Sequence, residues 1–159
     1  MNYLHSLATC LVLASATATA HAAVGPYAEG VDARAAITQA QAQARLARLP
    51  LLVVFGANWC GDCKVLDLAM SSGASAALMA RDFRVVKVDV GRFDRNVDIA
   101  AGFEVPLKKG IPAVAMLSAE GQLLYATRAG ELADARRMGD AGIHDFFQRT
   151  LATHRPKAP

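Results

Sequence analysis

The chain has 159 residues, 53% of them hydrophobic, with a formal net charge of +3 and three cysteines. That length and apolar content suit one globular domain with a packed core. The charge is small and no basic run is interleaved with aromatics, which excludes the usual signatures of nucleic-acid and anionic-membrane partners.

Residues 1–22 carry no Asp, Glu, Lys or Arg, and an apolar run from Leu7 to Ala20 leads into Ala20-His21-Ala22, a small-x-small cleavage pattern. This predicts a secretory signal peptide over 1–22, cut after Ala22, with the stretch Met1 to His5 relying on the α-amino charge. Thr9, Ser15, Thr17 and Thr19 dilute the run, and it barely reaches the length of a membrane span. Too little hydrophobic segment precedes Cys10 for a lipid acceptor. Cleavage removes Cys10, so the exported domain, residues 23–159, keeps Cys60 and Cys63. A bridge closing so short a loop constrains little of the unfolded chain, so this pair reads as functional rather than as a disulfide scaffold.

From Ala28 to Leu49 the sequence is rich in Ala, Gln and Arg, with Ala36, Ala40, Ala44 and Ala47 at helical spacing and Pro50 closing the segment. It predicts an amphipathic helix. Leu51 to Phe55 is an apolar run bounded by Pro50 and Gly56, too short for a typical helix, and predicts a strand buried on both faces. Helical spacing follows from Cys60 to Met70 and from Ser75 to Arg81, with Ser71-Ser72-Gly73 breaking the two pieces. Phe83 to Val90 alternates, with Val86, Val88 and Val90 on one face and Lys87 and Asp89 on the other, and predicts a second strand. Asp94 is the expected cap of a short helix through Ala101, before a loop from Gly102 to Gly110. Ala113 to Leu117 and Leu123 to Thr127, joined through Gly121, predict a β-hairpin. Asp140 is the expected cap of a last helix whose inner face holds Ile143, Phe146, Phe147 and Leu151, with fraying from Pro156. Strands separated by helices pair in parallel, and the hairpin adds antiparallel strands. The expected fold is therefore α/β, with a mixed central sheet and helices on both faces.

Cys60-Gly61-Asp62-Cys63, preceded by Trp59 and followed by Lys64, stands where the first strand gives way to a helix. Two cysteines at this spacing can exchange between dithiol and disulfide without moving the backbone. At the helix start, the Cys60 sulfur lies near unsatisfied amides and the positive end of the macrodipole, both of which favour thiolate. Cys60 is the expected nucleophile, and Cys63, a turn further in, the expected resolving thiol. Gly61, Asp62 and Lys64 are the expected tuning residues: a carboxylate at Asp62 opposes a thiolate, which makes the couple more reducing. A metal site is not expected, because His144 and His154 have the wrong spacing for a finger and no second cysteine pair exists. Lys64 stands where covalent haem attachment would need a histidine.

Phe55 to Lys64, together with Gly110-Ile111-Pro112, resembles the thioredoxin superfamily, in which Trp-Cys-Gly-x-Cys-Lys opens a helix and Gly-Ile-Pro opens a hairpin. The order of elements matches that fold from about Ala28 onward. Within the superfamily the sequence is similar to exported thioredoxin-like domains, including the C-terminal domain of the membrane reductase that sends electrons to the periplasm. The resemblance implies a cis Ile111-Pro112 bond beside the cysteines, an Ile111 backbone that pairs with an extended substrate, and an apolar rim at Trp59. It also shows a departure. The family's buried acid, six residues before the first cysteine, is here Val54, so another base is needed; Lys87, which resembles the family's strand lysine, and Glu104 are the candidates. The stretch Glu104 to Lys109 is longer than the family's compact pattern.

The expected protein is a periplasmic protein-disulfide reductase, monomeric and without bound cofactor. Its expected partners are protein disulfides and a membrane-bound thiol electron donor. Two other readings stay open: a binding or assembly module of the same fold without redox turnover, and a net oxidase or isomerase.

Overall fold

The computed structural model describes residues 25–154. The expected signal peptide over 1–22, its cleavage after Ala22, Cys10 and the tail from Pro156 lie outside the described residues.

The elements run α1 (Ala33–Ala47), β1 (Leu51–Gly56), α2 (Gly61–Ser71), α3 (Ala76–Asp82), β2 (Arg84–Asp89), α4 (Val97–Gly102), a 3-10 turn (Leu107–Lys109), β3 (Ala113–Leu117), β4 (Leu123–Ala126) and α5 (Ala135–His154). The sheet order is β2-β1-β3-β4, with β1 and β2 parallel and the other neighbours antiparallel. This is the mixed sheet that the sequence predicts. Every residue of β1 and β3 is buried, which requires cover on both faces of the sheet. The cover divides into two groups. Arg34 of α1 pairs with Asp98 of α4, whereas α5 is tied to the α2–α3 junction, where the Ala74 amide donates to Asp140 at 2.9 Å. Phe83 and Phe147 meet edge to face at 6.4 Å and continue the core towards α5.

Three helix starts differ from expectation, each for a local reason. Helix α1 begins at Ala33 rather than Ala28, because Gly30 sits at φ 77° and Asp32 caps the helix by accepting from the Arg34 and Ala35 amides at 3.0 and 3.1 Å. Asp94 does not cap α4. Its carboxylate accepts from the Arg92 amide at 2.9 Å, and the helix starts after Asn96, which is left-handed at φ 53°. Asp140 likewise spends its carboxylate on Ala74, while Gly139, at φ 66° and ψ 176°, kinks α5 just before it. The face of β2 bearing Lys87 and Asp89 is covered as well. Asp89 is 6% exposed and held by Arg95 at 3.0 Å, and Lys87 pairs with Asp67 of α2.

Candidate active site

Strand β1 ends at Gly56, and the turn Ala57 to Trp59 hands the chain to α2 with Cys60 as its N-cap, in extended backbone at φ −79° and ψ 116°. The Cys63 amide points at the Cys60 sulfur from 3.1 Å. An unpaired helix-start amide thus faces the sulfur that would carry negative charge in the reduced protein. Cys60 and Cys63 form a disulfide with Cα atoms 5.2 Å apart, and Cys63 is fully buried where Cys60 is 5% exposed. The more accessible sulfur is therefore the one at the cap.

Across from the pair, the Ile111-Pro112 bond is cis, and the Ile111 carbonyl oxygen lies 3.6 Å from the Cys60 sulfur. Gly110, at φ 111°, precedes it, and a Cβ there would come within 2.6 Å of the Ala133 side chain. That close approach and that backbone both call for glycine. Trp59 is 48% exposed, donates its indole N–H to the Gly91 carbonyl at 2.7 Å and meets Phe93 edge to face at 5.9 Å. Arg92 lies over its ring at 6.0 Å. Phe93 is 44% exposed and held at φ 66°, a conformation rarely adopted by bulky residues.

Asp62 is where the structure changes the expected electrostatics. Its side chain is 14% exposed, and both oxygens are taken by Arg136: the backbone amide donates at 2.9 Å and the guanidinium at 3.0 Å. Burial alone would push its carboxyl up. The hydrogen bonds and charge of Arg136 outweigh burial and hold it below its ordinary value. Asp62 is therefore not a free charge beside Cys60. Lys64 is exposed, one residue beyond Cys63.

Val54 is 1% exposed and stands opposite Lys87 in the parallel register. The strand has no acid at that point, but α2 brings one. Asp67, one helical turn past Cys63, reaches across to pair with Lys87. Glu104, the other candidate base, is instead paired with Arg128. Support for the cysteine turn comes from Tyr27. Its ring packs on Gly56, where a Cβ would fall 2.3 Å from its Cζ and hydroxyl oxygen, and its backbone exchanges two hydrogen bonds with Asn58, at 3.0 and 2.8 Å.

Sequence reasoning named Trp59, Cys60, Gly61, Asp62, Cys63, Lys64, Ile111 and Pro112, and the fold places these residues at one end of the sheet. It missed Tyr27, Asn58, Asp67, Phe93 and Arg136. Asp67 was within reach of the sequence, because it lies four residues after Cys63 on the same helix face. Arg136 was not, since it meets Asp62 across 74 residues with no periodic signal.

A family model described as thioredoxin-like matches residues 32–119. Thioredoxin 1 of Chlorobaculum tepidum is 39% identical over 87 residues, which cover 52% of this chain and 73% of that protein. The crystal structure of a disulphide isomerase from Xylella fastidiosa Temecula1 is 43% identical, with a TM-score of 0.75, covering 80% of this chain and 98% of that one. With its paired cysteines at a helix start beside a cis-proline, the chain belongs to the thioredoxin-like family of thiol:disulfide oxidoreductases.

Proposed function

We propose that this protein is a periplasmic thiol:disulfide oxidoreductase that reduces protein disulfides. One observation carries the exchange chemistry of this reading: Cys60 caps α2 with the Cys63 amide on its sulfur at 3.1 Å, while Cys63 is fully buried behind it. In the reduced protein the Cys60 thiolate attacks one sulfur of a substrate disulfide. A Cys60–substrate disulfide forms, and the other substrate sulfur leaves as a thiolate and takes a proton. Cys63 then loses its proton and attacks the Cys60 sulfur, which releases the second substrate thiol and leaves Cys60–Cys63 oxidised. Two electrons and two protons pass to the substrate. A thiol donor, which we assign to a membrane-bound reductase, returns them.

Asp67, held by Lys87 one turn beyond Cys63, is the group we assign to accept the Cys63 proton in place of the missing acid at Val54. An extended substrate segment pairs with the Ile111 backbone beside Pro112, and Trp59 with Phe93 forms its apolar rim. The protein acts as a monomer and needs no bound cofactor, because the cysteines themselves carry the electrons.

In the test, purified protein speeds reduction of a disulfide substrate by a small dithiol, and Cys60→Ser abolishes the effect; undiminished activity in that variant would overturn the mechanism. The export reading predicts that the full chain is recovered from the periplasmic fraction of a bacterial host without residues 1–22. An intact chain in the cytosol would overturn it.

Isomerisation is a second reading. It is favoured by the similarity to a protein described as a disulphide isomerase and by the capture of Asp62, which removes the charge that argued for a strongly reducing couple. Cys63→Ser separates the two readings. A reductase stops at the mixed disulfide, whereas an isomerase still rearranges non-native bridges through Cys60 alone.

A further inference from the structure

The segment before the kink in α5 approaches the residues between the two cysteines. Arg136 takes both oxygens of Asp62, one through its backbone amide and one through its guanidinium. The same guanidinium lies over Gly61, where a Cβ would sit 3.4 Å from Nη1 and 3.5 Å from Cζ. The other charges around the motif are Lys64 on α2, Arg92 above Trp59, and the Asp134–Arg137 pair flanking Arg136, 3.9 Å apart. Arg136 meets Asp62 twice, through its backbone amide and its guanidinium, whereas Arg92 stacks on Trp59.

We propose that Arg136 is a positioning residue of the redox site: it cancels the charge of Asp62 beside the cysteine turn, so that a thiolate at Cys60 faces a neutral ion pair instead of a free carboxylate. The proposal rests on the reading of Cys60 as the attacking sulfur. Its consequence is a couple less reducing than the motif alone implies, because a stabilised thiolate stabilises the dithiol form. The Arg136 amide contact also ties α2 to the segment 133–138, so the charge is held in place by backbone as well as by side chain.

The test compares Arg136→Ala, Arg136→Lys, Asp62→Asn and the double variant Asp62→Asn/Arg136→Ala with the unmodified protein. Two quantities are read: the pH titration of the Cys60 thiolate in the reduced protein, and the equilibrium with glutathione at a pH above that titration. Arg136→Ala removes the cation and leaves the charged carboxylate held by the backbone amide alone, so the titration moves up by about one pH unit. Above it the dithiol form is disfavoured about tenfold, which is 29.6 mV towards a more reducing couple. Arg136→Lys keeps the charge and the backbone amide contact but not the guanidinium hydrogen bond, and falls in between. Asp62→Asn moves the titration down, and the double variant returns towards the unmodified protein.

Circular dichroism confirms that each variant is folded, and Arg136→Lys and Asp62→Asn remain informative if Arg136→Ala does not fold. The proposal is overturned if folded Arg136→Ala matches the unmodified protein in both readouts, or if the double variant shifts as far as Arg136→Ala alone. Neither readout depends on a protein substrate. Failure here therefore leaves the Cys60→Ser test of the exchange reaction untouched, and failure of that test is visible without Arg136.

Discussion

Replacing Gly56 by alanine tests how the cysteine turn is supported. A Cβ at this last residue of β1 would lie 2.3 Å from both Cζ and the hydroxyl oxygen of Tyr27 and 2.7 Å from Cε1. The ring cannot swing aside cheaply, because Tyr27 is 1% exposed and Asn58 pins its backbone on both sides. Over-packing of this kind costs about 1–3 kcal/mol. At about 4 °C per kcal/mol for a domain of this size, the middle of that range lowers the melting temperature by about 8 °C. The decisive measurement is a double-mutant cycle followed by urea unfolding of the oxidised protein. Tyr27→Ala alone costs about 3–5 kcal/mol, as for other buried aromatics. In that background the clash is gone, and Gly56→Ala should stabilise by about 0.5–1 kcal/mol, the usual gain of alanine over glycine inside a strand. The substitution therefore changes sign, with a coupling of at least about 1.5 kcal/mol. If Gly56→Ala costs the same with and without the tyrosine ring, Tyr27 is not the group that fills the space.

Three further outcomes are expected. Asn58→Ala loses the paired bonds to Tyr27 and should cost about 1–2 kcal/mol, with faster hydrogen exchange at the Tyr27 amide; unchanged exchange would mean that the contact does not hold the segment. Asp67→Asn should let the mixed disulfide on Cys60 accumulate and slow its resolution by up to about a hundredfold near neutral pH, the low end of what a general base supplies. The defect should fade as pH rises, and a pH-independent defect would point to packing instead. Tyr125 is pushed up to about 12, first by burial and then by Glu131, against an unfolded value near 10. Between those values the folded state keeps a proton that the unfolded state has lost, so stability falls as pH rises. Tyr125→Phe should flatten the urea midpoint between pH 10 and pH 12. Burial, then the charge of Asp67, pushes the Tyr27 phenol in the same direction, so part of the slope remains in that variant.

Much of the architecture was legible along the chain because its signals are local. Apolar runs of strand length, alternation in β2, the Ser71-Ser72-Gly73 break and the hairpin through Gly121 all act within a few residues, and each has its counterpart in the structure. Helix starts were read less well. Asp94 and Asp140 look like caps in the sequence, but each carboxylate found another amide, one within its own turn and one on the α2–α3 junction.

What the sequence by itself determined is the chemistry available: two cysteines at a helix start, with a proline motif to face them. Spacing along one helix is enough to specify the first, and a short motif the second. What only the tertiary structure decided is how charge is arranged around them. Asp62 reads as a free carboxylate until Arg136 closes on it, and Val54 reads as a missing acid until Asp67 and Lys87 meet over the same register. Helix spacing alone puts Asp67 a turn beyond Cys63, but Coulomb interactions depend on distance in space rather than along the chain, so its meeting with Lys87, like that of Asp62 with Arg136, has no pattern that a linear reading could find.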